Sequence, residues 1–316
     1  MTAYTMKRIS GGHPKKSVWL RIWEKRYIYM IVLPGMAFFL LFRYVPMYGI
    51  QLAFKEFNIV EGITNSPWVG LQQFRQLLIE REFWQALQNT LIISYMQLVL
   101  FFPFPIILSL IINEIKPRGY KRVAQTIYTF PHFLSWVIVA GIMMNLLSNN
   151  GAINNLLSLF NIQSFGFLTD KKIFRYILIA SLSWKEAGWS CILYLAAITN
   201  IDPALYEAAT IDGANRWHRI RYITWPGIQA IVITTLILRI GHMMDAGFDQ
   251  IMNIYNLTVL EVSEILDTYI YRITFQRPAN FGFSTAVGLF KGVTNAILLV
   301  SVNTICKRLS GTGILS

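Results

Sequence analysis

Six long apolar runs, near 27–46, 88–112, 123–147, 173–200, 226–245 and 282–305, constrain this chain more than any other feature. Each can cross a hydrocarbon core, which takes about 20 apolar residues in a helix. Hydrophobic residues make up 54% of the sequence and charged residues 14%, against roughly 25% charged in a soluble domain. A soluble fold of 316 residues has no core large enough to hide that surface, so the bilayer is the expected solvent. The runs are too long for barrel strands and lack their alternation. Prolines 34, 103 and 105 fall inside runs, which membrane helices tolerate where neighbours satisfy the freed backbone groups. The expected fold class is all-α integral membrane, with six transmembrane helices.

A net charge of +12 would suggest nucleic acid in a soluble protein, but its distribution fits membrane topology better and no nucleic-acid partner is expected. Of 28 Lys and Arg residues, seven lie in 1–26, four in 113–122, three in 201–225 and two in 306–316. Cytoplasmic loops of membrane proteins carry such an excess. These four pieces are expected on the cytoplasmic side, with both termini there. The organisation is then a basic tail (1–26), a transmembrane domain (27–305) and a short tail (306–316). The basic start leads into a long apolar run without a small-residue cleavage site, so no removable signal peptide is expected. On the other side, 65–87 read as an amphipathic interfacial helix, 151–168 as another short interfacial piece, and 246–281 as a longer acid-bearing segment. Cys191 and Cys306 both fall in apolar runs and read as small core residues.

The polar stretch EAATIDGANRWHRIRYITWPGI, residues 207–228, separates the fourth and fifth runs. Asp202-Pro203 is a helix start, since Asp accepts from free N–H groups and Pro suits the first helical position. The helix is expected from Ala204 to about Thr210. Asp212-Gly213 signals a turn, and a second helix carries Trp217, Ile220 and Ile223 on one face. Two readings stand. The loop is an ordinary amphipathic connection whose Arg residues set topology, or it docks on a protein outside the bilayer. In the second case Ala208 and Ala209 give a smooth face, and Glu207 and Asp212 meet partner cations.

Four charges lie well inside runs: Lys185, Glu186, Arg239 and Lys291. A charge at membrane depth costs a few kcal/mol, so it faces a wet cavity or a partner. Trp184, Trp189, Tyr194 and Asn295 are near them in sequence. Aromatic faces stack on sugar rings and polar groups bond to hydroxyls, so the set suits an oligosaccharide path. Lys185 and Glu186 also fit a structural ion pair, and Arg239 also fits snorkelling or pairing with Asp245. Lys291 shows no obvious acidic neighbour and is the first candidate for touching cargo. Three cations against one carboxylate suggest an anionic, uronate-containing cargo such as an alginate or pectin fragment.

The pattern E-A-A, three residues, G, then I and P, met at Glu207, Ala208, Ala209, Gly213, Ile223 and Pro226, resembles the EAA loop of binding-protein-dependent ABC importer permeases. YVPMYGIQLAFKEF (44–57), SPWVGL (66–71), FPHFLSWVIVAGI (130–142), SWKEAGWSCILYLAAITNIDPALYEAATIDGA (183–214) and FSTAVGLF (283–290) are similar to the LplB-like carbohydrate branch. The chain departs from that pattern at Trp225, where Leu is usual, and at Gln229, where Pro is frequent. The resemblance implies a type I ABC importer permease fold in a bacterial cytoplasmic (inner) membrane. It also implies a heterodimer with a second permease, two ABC ATPase subunits that hold the ATP and Mg, and an extracytoplasmic solute-binding protein. Lipid surrounds the helices, and Glu207, Ala208, Ala209, Asp212 and Gly213 couple to the ATPase.

No G-x-x-x-x-G-K-[ST] stretch is present, so ATP hydrolysis is expected on a separate subunit and this chain is not itself expected to be an enzyme. His13, His132, His218 and His242 are scattered, without metal-ligand spacing; His132 reads as a packed helix residue. No G-x-S-x-G elbow is found. An ion-coupled secondary transporter would need intramembrane carboxylates for Na⁺ or H⁺, and only Glu186 qualifies. An ABC importer for a peptide or amino acid is the other alternative.

Overall fold

The computed structural model describes Trp19 and residues 23–115, 117–276 and 279–310. The expected tail 1–26 thus lies almost wholly outside the described residues, as do 311–316. The described residues are helical, with no strand among them; one isolated antiparallel bridge joins Lys55 and Trp68. The chain divides into two compact units, Met1–Gln51 and Leu52–Ser316.

In the first unit, α1 (Arg26–Phe39) continues through a π turn at Leu40–Tyr44. None of the α1 residues is buried. A largely apolar helix with none of its residues buried needs lipid or another protein around it.

In the second unit, α2 (Gln72–Ile79) precedes α3 (Arg81–Met96), which continues through a π turn into α4 (Pro103–Asn113). The interfacial helix expected over 65–87 is therefore shorter, because 81–87 already belong to the spanning helix. Next come α5 (Arg118–Thr129), α6 (Trp136–Leu147), a short helix at Ala152–Ser158, and α7 (Phe174–Thr199). The polar loop holds α8 (Pro203–Ile211) and α9 (Arg216–Arg219), and α9 runs on into α10 (Trp225–Gly241). Segment 246–281 folds into α11 (Phe248–Ile254), a single turn at Leu260–Ser263 and α12 (Leu266–Tyr271) before α13 (Phe281–Ser310).

Five helical stretches are long and apolar enough to cross a membrane: Arg26–Phe54, Arg81–Asn113, Trp136–Ser158, Arg216–Gly241 and Phe281–Arg308. The chain is a multi-pass membrane protein. The expected fourth run is the single 26-residue helix α7. It is not among the five, because polar residues between Ser181 and Ser190 dilute its apolar character. The expected third run, 123–147, is not one helix. It breaks between α5 and α6 at a 3₁₀ turn, Phe130–Phe133, followed by extended Leu134. Pro131 sits in that turn, and Ser135 restarts the helix by accepting the amide of Ile138.

Three π turns share a cause that is visible in the sequence. They cover Leu40–Tyr44, Gln97–Phe101 and Ile220–Thr224, and a proline follows two residues after each, at 46, 103 and 226. A proline ring in a helix clashes with the carbonyl four residues back, which is Phe42, Val99 or Tyr222. Widening the helix by one residue moves that carbonyl aside without breaking the chain. Pro226 therefore does not open a new helix, as its position suggests; it lies within the stretch Arg216–Gly241.

The core sits around α7. Ile179, Ala187, Cys191 and Leu195 pack on Phe101, Leu108 and Ile112, and Tyr194 and Ile198 pack on Ile106, Ile228 and Val232. Segment 246–281 covers the start of α7, burying Ile251, Ile254, Val259 and Ile265 with Phe174 and Leu178.

Candidate functional site

The polar loop is built as a rigid unit with an open face. The Asp202 side chain caps α8 by accepting from Ala204 N at 2.9 Å. At the other end Gly213 takes φ +75°, in the left-handed region that favours glycine. The Ala214 amide then donates back to the carbonyl of Ala209 at 2.8 Å. Asn215 caps α9 in the same manner, accepting from His218 N. Two side-chain bonds tie α8 to the helix after it: Tyr206 Oη with Thr224 Oγ1 at 2.9 Å, and Arg219 Nη1 to Thr210 Oγ1 at 3.2 Å. No residue of α8 is buried. Glu207, Ala208 and Asp212 are exposed, with Leu205 and Ile211 beside them, Ile211 at 87%. The loop thus presents a capped two-and-a-half-turn helix, braced on one side, with apolar and small residues facing outward.

The intramembrane charges do not line one path; they fall into three groups. In the first, Lys185 and Glu186 meet the helix break. Lys185 Nζ lies 2.8 Å from Glu186 Oε1 and donates to the carbonyl of His132 at 2.9 Å. His132 Nδ1 lies 2.7 Å from the other Glu186 oxygen. Trp136 lies beneath the ammonium at 5.3 Å. The His132 ring stacks on Trp189 at 4.5 Å between centroids, the planes 4° apart. Gly188 completes the joint: a Cβ there would lie 1.8 Å from the carbonyl oxygen of Tyr128. The W-K-E-A-G-W stretch is thereby explained locally. The ion-pair reading of Lys185 and Glu186 fits this geometry, and His132 packs on Trp189 in the 3₁₀ turn while also meeting the carboxylate.

In the second group, Arg239 Nη2 donates to Gln97 Oε1, and its guanidinium lies 5.8 Å from the Phe101 ring centroid. Gln97 is buried, and its Nε2 donates to Ala246 O at 3.0 Å. The hydrogen bond goes to this amide and not to Asp245, whose charge nevertheless acts on the guanidinium. Arg239 lines an open cleft of about 570 Å³ with Trp189, Ser190, Tyr194, Thr235 and His242. Tyr194 is buried and its hydroxyl is engaged by Thr235 Oγ1 at 2.9 Å, so it forms the floor. Trp189, 47% exposed, is shared between the first group and this cleft.

In the third group, Lys291 Nζ lies 2.5 Å from Asp245 Oδ1 and 2.5 Å from Asp267 Oδ1. Asn295 accepts the Met244 amide at 3.0 Å and reaches Asp245 Oδ2 at 3.4 Å. This overturns the expectation that Lys291 lacks an acidic neighbour. It also removes the argument from three cations against one carboxylate, since two aspartates join the balance. Both lie in the connection between α10 and α13, so the pairing depends on how that connection folds back. Trp184, half exposed, joins none of the three groups.

Gln97 and Asp267 went unnoticed in the sequence. Gln97 had a signal, as a lone amide inside an apolar run; Asp267 had none, lying in a segment with other acids.

That segment carries an ion cluster of its own. Arg272 bonds Glu264, at 2.5 and 2.8 Å, and Glu82 at 3.0 Å. Burial works against the Arg272 cation, but bonds and charges from Glu264 and Glu82 outweigh it and hold its pKa above the ordinary value. Lys55 is buried as well, donating to the carbonyls of Ile63 and Thr64 at 2.6 and 3.0 Å, with Trp68 alongside.

Residues 102–310 match the family model described as binding-protein-dependent transport system inner membrane component. The chain is 42% identical over 301 residues to the polygalacturonan/rhamnogalacturonan transport system permease protein YteP of Bacillus subtilis (strain 168), covering 95% of this chain and 94% of that one. It is 39% identical over 290 residues to protein LplB of the same organism, covering 92% and 91%. Among solved structures it is similar to a chain of a bacterial alginate ABC transporter, crystallised in complex with an alginate pentasaccharide-bound periplasmic protein. The TM-score is 0.86 at 40% identity, over 94% of this chain and 99% of that one. The breadth of these matches, together with the helices and the capped polar loop, shows that the chain belongs to the binding-protein-dependent transport system inner membrane components.

Proposed function

We propose that this chain is one transmembrane subunit of an ATP-driven importer of acidic oligosaccharides in a bacterial cytoplasmic membrane. The observation that carries the reading is the exposed, doubly capped helix α8, whose outward Leu205, Ala208 and Ile211 suit a groove on another protein. We assign Glu207, Ala208, Ala209, Asp212 and Gly213 to that contact, the partner being a separate ATPase that holds ATP and Mg. Tyr206 and Arg219 then pass motion of α8 into the helix Arg216–Gly241. ATP shifts the helices between inward- and outward-facing states through its differential affinity for the closed ATPase pair. In this reading α7 is the sixth span, both termini lie in the cytoplasm, a second permease completes a heterodimer above two ATPase subunits, and a solute-binding protein delivers cargo. Acidic cargo is supported by the names of similar proteins, which transport polygalacturonan, rhamnogalacturonan or alginate.

The test is uptake into proteoliposomes holding the whole assembly. ATP inside should drive entry of an oligogalacturonide presented with its binding protein, and dissipating Na⁺ and H⁺ gradients should leave the rate unchanged. Uptake that follows the ion gradient and ignores ATP would favour a secondary transporter.

A further inference from the structure

Of the three cations well inside the apolar runs, Lys185, Arg239 and Lys291, two are neutralised within the chain. Lys185 touches Glu186, and Lys291 touches Asp245 and Asp267. Arg239 is different. Its hydrogen-bond partner is the neutral amide of Gln97, fixed in turn by its bond to the Ala246 carbonyl. Gln97 holds the guanidinium in place without cancelling its charge, and Asp245, the carboxylate whose charge also acts on it, is already bound by Lys291. No carboxylate lies among the described residues that line the cleft beside it.

The rest of the cleft suits a sugar ring. Trp189 has one face stacked on His132 and is half exposed, which leaves a flat apolar surface beside the cation. Ser190 and His242 supply polar groups, and Phe101, Phe102, Pro105, Leu193 and Leu238 make the rest of the wall apolar. The volume, about 570 Å³, falls in the usual range for small-ligand sites, roughly 300–1,000 Å³.

We propose that this cleft is a transit subsite for one carboxylated sugar ring, with Arg239 holding the carboxylate and Trp189 the apolar face of the ring. The proposal rests on the acidic-oligosaccharide reading above and makes it specific to residues. A planar guanidinium matches a carboxylate through two parallel bonds. A single such contact also fits transport, where a site must bind well enough to admit cargo and weakly enough to let it leave. Lys291, the first candidate from the sequence, is excluded from this role by its two aspartates.

The test compares a trigalacturonate with its neutral methyl ester in proteoliposomes holding the complete transporter. Three variants are needed: Arg239→Gln, Arg239→Lys and Trp189→Leu. Gln can bond Gln97 and keep the helices together while removing the charge. Expected are at least a tenfold loss of trigalacturonate uptake in Arg239→Gln, partial retention in Arg239→Lys, and loss of uptake of both sugars in Trp189→Leu. The yield of assembled transporter and its melting temperature should stay close to the parent in Arg239→Gln. The subsite is overturned if Arg239→Gln takes up trigalacturonate within twofold of the parent. It is equally overturned if the yield of assembled transporter falls in step with uptake, since Arg239 then acts on the fold. A parent that imports only the ester sinks the acidic-cargo reading and the subsite with it, whatever the variants do.

Discussion

Lys185 Nζ lies 2.9 Å from the carbonyl oxygen of His132, so an ammonium in the middle of one long helix caps the broken end of another. Glu186 closes the arrangement by reaching both the ammonium and the His132 ring. A broken helix within a membrane leaves backbone groups that water cannot satisfy, and such breaks persist only where protein does so.

Lys185→Met should therefore destabilise the subunit by about 3 kcal/mol, the usual cost of removing one member of a buried ion pair. Thermal unfolding of the purified assembly in detergent measures it. Lys185→Met/Glu186→Gln should recover part of the loss, because the orphaned carboxylate is gone. A double variant no more stable than the single would show that Glu186 has another compensating cation.

Gly188→Ala tests the contact of α7 with the end of α5. A methyl placed 1.8 Å from the Tyr128 carbonyl oxygen cannot be accommodated without moving a helix. Overpacking of this kind costs roughly 1–3 kcal/mol or more. The expected readouts are a lower melting temperature and a lower yield of assembled transporter.

Lys291→Met leaves Asp245 and Asp267 facing each other without their shared cation. The loss in stability should exceed that of the triple change Lys291→Met/Asp245→Asn/Asp267→Asn, which removes the repelling charges too. Comparing the two melting temperatures separates an internal clamp from a residue that acts on cargo.

Glu261 offers a pH test away from the membrane-spanning helices. The hydrogen bond and charge of Lys171 hold its carboxyl below the ordinary value of 4.5. With a depressed folded-state pKa, this contribution is present above the unfolded value and is lost as pH falls through the folded one. The stability difference between the parent and Lys171→Met should be small at neutral pH, shrink in high salt because both groups are exposed, and vanish in acid. Melting curves from pH 7 to 3 follow it.

Much of the helical layout was legible because apolar length and positional charge act locally. Three of the four π turns among the described residues follow from prolines 46, 103 and 226 by the same local logic. The capped loop was legible too: Asp202-Pro203 and Gly213 announce the two ends of α8 within a residue. The groupings of charge were not legible. Lys291 meets Asp245 and Asp267 only because the connection between α10 and α13 folds back, and nothing in helical periodicity carries that information. FPHFLSW reads as an uninterrupted run because, His132 apart, the residues at the break are apolar; the polar compensation comes from Lys185, more than fifty positions later.

The central claim is that α8 is the mechanical contact with a separate ATPase. Ala208→Cys, in a background with Cys191 and Cys306 replaced by Ala, measures it through the rate of alkylation by a bulky maleimide. Labelling should be fast in the permease alone, slow at least tenfold when the ATPase subunits are bound, and leave ATP-driven uptake blocked once the thiol is modified. Equal labelling rates with and without the ATPase, or full uptake by the labelled protein, would contradict the account.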